Sequence, residues 1–432
     1  MGDLLKSLRH IKRIYGRPST QDVFKEILAK KRLTRTLVRL FSKYRSTKFL
    51  TLLLSIYSMK ALLSIRFPKK KGAIFATGTT ANEFSYIKYI EKCMQGEEIE
   101  IVSPSIKNII SLGNISLLLA IIFHPKRTIK YCKVISYFNN DDFITGCLRA
   151  SFVGYYVKNI YILSRTSPKA VLVTSNYAAD SCAMVSAAKS LNIPVIFYPH
   201  GAVTSFNQPT NIGYDIAIFS GKYGVDLYKE NSPDFSPKLL FCGIKGKTDP
   251  LKIDFSDQKP PKKVGIFLTA KTNMQILTEI VDELTDKWNV EKILIRPHPV
   301  DLIIPDFVSL GSKKNIFISA KGDPLIEDVK QVDFAFVGNS SVHLEILKLG
   351  VPTLYFGSMD SYDYDINGFV KHKVVPSFDN FSSIKLDDIA SFYGSDWKDS
   401  FSYFDAGYGL SEEEINLNIK NGIEEFLGSS KK

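Results

Sequence analysis

Between Glu26 and Glu83 the chain carries no acidic residue. Residues 1–70 hold 18 Lys and Arg against three acids (Asp3, Asp22, Glu26), a local charge of +15, while the remainder sums to −3. The whole positive excess therefore sits in one N-terminal arm. Such a block is the electrostatic footprint of an anionic partner, and each basic residue near an anionic bilayer contributes roughly 1 kcal/mol. Cysteine is sparse and scattered: Cys93, Cys132, Cys147, Cys182 and Cys242 form no CxxC pair. They signal neither a zinc site nor a disulfide framework, and a reducing cytoplasm fits them best. The start "MGDLLKSLRH" lacks the apolar core and small-residue cleavage site of a signal peptide. No RNA-binding signature accompanies the arm, so a membrane surface is the expected partner and nucleic acid is not. A clean apolar run is missing too. "KFLTLLLSIYSMKALLSIRF" (48–67) is broken by Lys60 and several hydroxyls, against the usual need of ~20 apolar residues for a span. It reads as a helix that packs on the protein or dips into the interface.

What is present is a globular chain of 432 residues, 45% hydrophobic and 23% charged, too long for one typical domain. From about residue 70 short apolar runs alternate with helical periodicity. Strands are expected at 72–78, 169–176, 194–201, 215–221 and 238–244, with 83–165 mostly helical. The polar, proline-bearing stretch 245–263 has no periodicity and reads as a linker. Alternation then restarts with strands at 263–270, 292–299, 315–320, 333–339 and 352–357, and 385–432 looks helical. The reading is an α/β chain: a basic helical arm (1–70), a Rossmann-like domain (71–245), a linker (246–262), a second Rossmann-like domain (263–390) and C-terminal helices (391–432). Alternating strands and helices imply parallel sheets covered on both faces, with ligands at the carboxyl ends of the strands.

The chemistry-bearing residues fall at those ends. In "VGNSSVHLEILKLGVPTLYFG" (337–357), Asn339, Ser340 and Ser341 stand where a strand meets a helix N-terminus, a place that favours an anion. Glu345, one turn in, is placed to accept hydrogen bonds from a ribose. The bland alternative is that Ser340 or Ser341 simply caps the helix. "RPHP" (296–299) offers Arg296 and His298 for phosphate, unless Arg296 pairs with an acid and His298 bonds a carbonyl. "YPHGAVTSF" (198–206) presents His200 on a tight turn at Gly201 as an exposed imidazole suited to general-base work. Thr269 and Lys271 in "FLTAKTN" (267–273) are candidates for phosphate or acceptor, or a solvated loop. "DYD" (363–365) spells a metal motif after the wrong strand, so no metal is expected. His343, inside the anion-site helix, reads as packing.

The spacing Glu345…Gly350-Val351-Pro352 after a small-polar loop resembles the nucleotide-binding helix of the GT-B glycosyltransferases, whose two domains face each other across a cleft. "RPHP" with the downstream Ser340-Ser341 resembles bacterial sialyltransferases and polysialyltransferases, and also the wall teichoic acid glycerophosphotransferases. The chain lacks the acid-acid-Gly motif usual in sialyltransferases, while His200-Gly201 matches the His-Gly of the teichoic acid enzymes. The resemblance implies an inverting, metal-independent transferase that moves a sugar from a nucleotide-sugar donor to a glycan or lipid-linked glycan acceptor. It favours a CMP-activated acidic sugar of sialic, Kdo or pseudaminic type, with no cofactor, and a capsule or lipopolysaccharide product. His200 would be the base, His298 and the serines would bind the leaving phosphate, and Glu345 the ribose. The enzyme would be cytoplasmic and peripheral at the inner membrane through its arm. Three rivals remain at this stage. They are a CDP-polyol phosphotransferase, an isomerase resembling UDP-N-acetylglucosamine 2-epimerases, and a non-catalytic envelope assembly protein. The isomerase needs carboxylates in the first domain, and no acidic pair at a strand end is visible in the sequence.

Overall fold

The computed structural model describes Arg9 and residues 72–102, 143–298 and 315–429, except 79–80, 96–98, 202, 204–209, 245, 253–259, 270–271, 321, 361–364, 379 and 395. The expectations for the rest of the arm (1–70), its apolar stretch 48–67 and Lys271 lie outside the described residues. No helix among the described residues is long and apolar enough to cross a membrane.

The first sheet has six parallel strands in the order β2-β1-β3-β4-β5-β6. They are β1 (Ile74–Thr77), β2 (Ile99–Ile101), β3 (Ala170–Val173), β4 (Val195–Phe197), β5 (Ile216–Phe219) and β6 (Lys238–Phe241). β1, β3, β4 and β5 are buried along their whole length, which is why they read as continuous apolar runs rather than alternating ones. Between them run α1 (Ala81–Cys93), α2 (Phe143–Thr166), α3 (Ala179–Ser190) and α4 (Lys222–Asn231). α3 is alanine-rich and buries ten consecutive residues, Ala179 to Ala188, because it is enclosed on several sides. The expectation of mostly helix over 83–165 missed β2, whose three residues put a glutamate between two isoleucines.

The second sheet has five parallel strands in the order β11-β10-β7-β8-β9. These are β7 (Lys263–Phe267), β8 (Lys292–Arg296), β9 (Ile316–Ile318), β10 (Phe334–Val337) and β11 (Thr353–Tyr355), linked by α5 (Met274–Asp286), α6 (Leu325–Val329) and α7 (Val342–Lys348). α5 shows how sequence makes such an element: Leu277, Ile280, Val281 and Leu284 form one buried stripe. The Asn273 side chain caps it, accepting from the Gln275 N–H at 3.1 Å. Two doubly wound α/β domains facing each other make the GT-B arrangement.

α8 (Leu386–Phe392) and α9 (Trp397–Ser402) close the second domain, and the chain then returns to the first. α10 (Glu412–Ser429) lays Ile415, Ile419 and Ile423 against the same core as Ile74, Ile196 and Ile216. It covers the edge strand β6, where Lys238 meets Glu425 at 2.6 Å, and it reaches α1 through Lys92 and Glu412 at 2.7 Å.

The crossing is pinned by a buried ion pair. Lys348, the last residue of α7, lies 3.2 Å from Asp405 with both side chains enclosed, and its ammonium also donates to the Ile244 carbonyl. Asp405 Oδ1 accepts from the Ile244 N–H at 2.8 Å and the Gly407 N–H at 3.0 Å. Removing one partner of a buried pair leaves an uncompensated charge. Lys348→Met is therefore expected to lower the unfolding free energy by about 3–5 kcal/mol in urea denaturation. Adding Asp405→Asn, which keeps the Oδ1 acceptor and removes the charge, recovers most of that loss; a double variant no more stable than the single one contradicts the account.

Candidate functional site

A cavity lies between the domains. From the first domain come Tyr86, Tyr198, Pro199, Gly201 and Cys242, and from the second Ser341, Leu344 and Glu345. The strand-to-helix junction after β10 therefore faces the turn after β4, although they are far apart in sequence. Ser341 occupies the N-cap position of α7 without a side-chain capping bond, so its hydroxyl is not spent on the helix. Ser340 does take the bland role, accepting from the Val342 N–H at 3.3 Å. Glu345 is exposed toward the cleft. Opposite it, burial pushes the Tyr86 phenol up to about 12, and the Glu345 carboxylate adds to that rise.

His200 adjoins this cavity, with Gly201 at φ +88° making the turn that only glycine adopts freely. The imidazole is not the exposed one expected: only 14% of the side chain is accessible. Nδ1 lies 2.6 Å from the Thr174 carbonyl, which fixes it as the protonated nitrogen and leaves Nε2 as the acceptor. The Tyr177 hydroxyl lies 3.3 Å from Nε2. Glu83, 2% exposed, places Oε1 3.9 Å from Nδ1.

Glu83 is one member of an acidic pair absent from the sequence reading. Asp180 is buried near it and accepts from the Thr77 hydroxyl at 2.8 Å. Burial raises the Asp180 carboxyl, and the Glu83 charge adds to the rise. Next to it the enclosed Lys158 ammonium is pulled down to about 8 by burial, against the attraction of Asp180. Both acids stand in the first helical turn after a strand, as Glu345 does, so the junction pattern was the available signal. First-turn acids are so common as partners of the helix dipole that the signal is weak.

Other expected phosphate ligands have partners within the protein. Arg296 pairs with Asp328 and donates to the Asp323 carbonyl at 2.9 Å, while Ser319 donates to the same Asp328 at 2.7 Å. It clamps β8 and β9 onto α6 rather than opening toward a ligand. The Thr269 hydroxyl and the Asn339 N–H both donate to the Asp360 carboxylate. The Asn339 side-chain oxygen accepts from the Ile366 N–H at 3.0 Å. His298, half-buried after β8, does not line the cavity. The order β10-β7-β8 explains this, because two strand spacings, about 9.6 Å in all, separate the exits of β10 and β8. Asp365, the described part of "DYD", spends its carboxylate on the N–H groups of Phe369, Val370 and Lys371. His343 is packing, as expected: it is enclosed, with Nδ1 2.8 Å from the Thr353 hydroxyl and Nε2 3.1 Å from the Gly338 carbonyl.

No family model matches the chain, and no curated protein matches it in sequence. Solved structures do resemble it in fold. A glycotransferase of kitacinnamycin aligns over 83% of this chain and 99% of its own, at 10% identity and a TM-score of 0.49. A putative UDP-N-acetylglucosamine 2-epimerase from Listeria monocytogenes aligns over 84% of this chain and 97% of its own (11% identity, TM-score 0.47). The UDP-GlcNAc 2-epimerase of Methanocaldococcus jannaschii aligns over 83% of this chain and 99% of its own (14% identity, TM-score 0.47). At such identities the likeness carries no argument about activity, which rests on the residues themselves.

His343 gives the site helix a measurable pH dependence. Burial lowers the imidazole from the ordinary value of 6.5 to about 3. Between those values the unfolded chain binds a proton that the folded chain refuses, so stability falls as pH drops through that window, by up to about 1.4 kcal/mol per unit. The Asp180, Asp360 and Asp405 carboxyls, raised chiefly by burial, act in the opposite sense. Comparison with His343→Gln isolates the histidine: between pH 6.5 and 5 the wild type should lose about 1.6 kcal/mol more than the variant. Parallel urea-denaturation curves against pH would contradict it.

Proposed function

We propose that this protein is a nucleotide-sugar-dependent glycosyltransferase working by direct, inverting displacement, without a metal. The observation that carries the reading is the pairing across one cavity of Ser341 and Glu345 with Pro199 and Gly201, the two residues that flank His200. Ser341 meets the donor phosphate and Glu345 the ribose. His200 Nε2 takes the proton of an acceptor hydroxyl as that oxygen attacks the anomeric carbon, and the bond from that carbon to the nucleotide's phosphate oxygen breaks, the phosphate leaving with the electron pair on the Ser341 side. The Thr174 carbonyl holds the tautomer this requires, and the nearby Glu83 carboxylate stabilises the imidazolium that forms. The Tyr177 hydroxyl holds the place of the acceptor hydroxyl at Nε2 until the acceptor arrives. Closing of the cleft over the bound donor would exclude water and so limit donor hydrolysis.

The finer reading is a CMP-linked acidic sugar passed to a capsule or lipopolysaccharide glycan, with the +15 arm holding the enzyme against the anionic inner membrane. It is supported by the sequence motifs and by the charge asymmetry. A second reading, an isomerase of nucleotide-linked N-acetylhexosamines, is favoured by one observation: the Glu83 carboxylate beside His200, with the Asp180 carboxylate near Glu83.

Thermal unfolding with CMP, CDP, UDP and GDP at equal concentration tests the nucleotide site. A ligand at 100 times its Kd adds about 2.7 kcal/mol of stability, and Glu345→Ala should abolish the response. With a competent donor and acceptor, His200→Ala should lower turnover by roughly 10²–10⁴-fold while leaving nucleotide binding intact. Solvent deuterium appearing at C2 of a UDP-N-acetylhexosamine, without transfer, would select the isomerase instead. A flat response to every nucleotide would remove both readings.

A further inference from the structure

The carboxyl ends of β7 and β10 form the point where the strand order of the second sheet reverses, since β8 and β9 lie on one side of β7 and β10 and β11 on the other. Open parallel sheets bind ligands in this crevice. Two donors from the adjoining loops converge there, the Thr269 hydroxyl and the Asn339 backbone N–H, and both are directed at the Asp360 carboxylate, one to each oxygen.

Asp360 is built into this place rather than resting on it. It is 7% exposed. Gly338 provides the notch that seats it, because a Cβ at that position would collide with the carboxylate. An antiparallel bridge joins Asp360 to Thr272, and the Asn273 N–H donates to the Met359 carbonyl at 2.8 Å, so its backbone is fixed to the loop after β7. Both contacts are donors, which suits the ionised acid. The anion position at the crossing is thus already held by an internal anion. Ser341 lines the cavity instead.

We propose that Asp360 is a specificity-determining residue: it fills the switch-point anion position of the second domain and restricts the donor to one carrying a single phosphate. The inference rests on the nucleotide reading above. One phosphate is accommodated beside Ser341. A second, extended toward the crossing, meets a fixed negative charge in a water-poor crevice and finds its two nearest donors committed to Asp360. Nucleoside-monophosphate-linked sugars satisfy the restriction, whereas diphosphate-linked sugars and diphosphate-linked polyols do not.

Calorimetric titration of the full chain with CMP, CDP, UMP and UDP tests this, using wild type, Asp360→Asn and Asp360→Ser, each checked for cooperative unfolding. The wild type should bind each monophosphate roughly ten-fold or more tightly than its diphosphate, equivalent to about 1.4 kcal/mol. In Asp360→Asn the gap should shrink to about threefold or less, chiefly through tighter diphosphate binding, and Asp360→Ser should follow it. Glu345→Ala should weaken both classes alike and leave their ratio unchanged. A wild type that favours diphosphates overturns the proposal without any variant. So does a monophosphate preference that survives in both replacements, although nucleotide binding itself would then stand. If no nucleotide binds any of these proteins, the nucleotide reading fails and this inference falls with it.

Discussion

The relation between the two halves of the cavity depends on the buried pair of Lys348 and Asp405. Lys348 ends the helix that begins beside Ser341 and carries Glu345. Asp405 lies in the segment returning from the second domain and grips the backbone of Ile244, just after the last strand of the first. A charge enclosed this deeply tolerates little displacement from its partner, because any gap would leave it neither paired nor hydrated. Ser341 and Glu345 are thereby held at a defined height over the turn at Gly201. Contacts nearby act in the same sense: the Tyr223 N–H donates to the Tyr403 carbonyl and the Ala406 N–H to the Ser220 carbonyl, at 2.9 and 2.8 Å.

A second constraint repeats in both domains. Loops at the carboxyl ends of parallel strands carry hydroxyls and N–H groups that must find acceptors, since buried donors left unpaired are costly. In each sheet a carboxylate supplies one where the strand order reverses: Asp180 for Thr77 in the first domain, Asp360 for Thr269 and Asn339 in the second. The two sites diverge in surroundings. Around the first, Glu83, Lys158 and His200 make a network of titratable groups. The carboxylate of the second receives two donors and stands as a fixed negative charge. The first arrangement suits proton transfer, and the second suits choosing among anions.

How much of this was legible in the chain follows from how local each feature is. Ten of the eleven described strands announce themselves as apolar runs, most of them because a strand buried on both faces has no polar side to show; β6 and β9 read the same way although they are partly exposed. β2 escaped because its three residues alternate like a solvated segment. The reading of "RPHP" as strand carried β8 three residues too far, beyond Arg296. The Ser341–Glu345 half of the site was visible because its residues lie within one helical turn of each other. The packing role of His343 followed from its place on the inner face of the same helix.

The sequence by itself determined the alternation of strand and helix, the two α/β units, the charge of the arm and the local chemistry at each strand end. Those properties arise from neighbours in the chain. Tertiary structure alone decided which strand ends meet. Thr77 finds Asp180 across 103 residues, Thr269 finds Asp360 across 91, and Lys348 reaches the Ile244 carbonyl across 104. It turned Arg296 from a phosphate ligand into a clamp on Asp328, set His298 two strands from the serine loop and brought Glu83 to His200. Strand order and domain docking are fixed by packing of whole apolar faces, a property of the assembled sheets that no short stretch encodes.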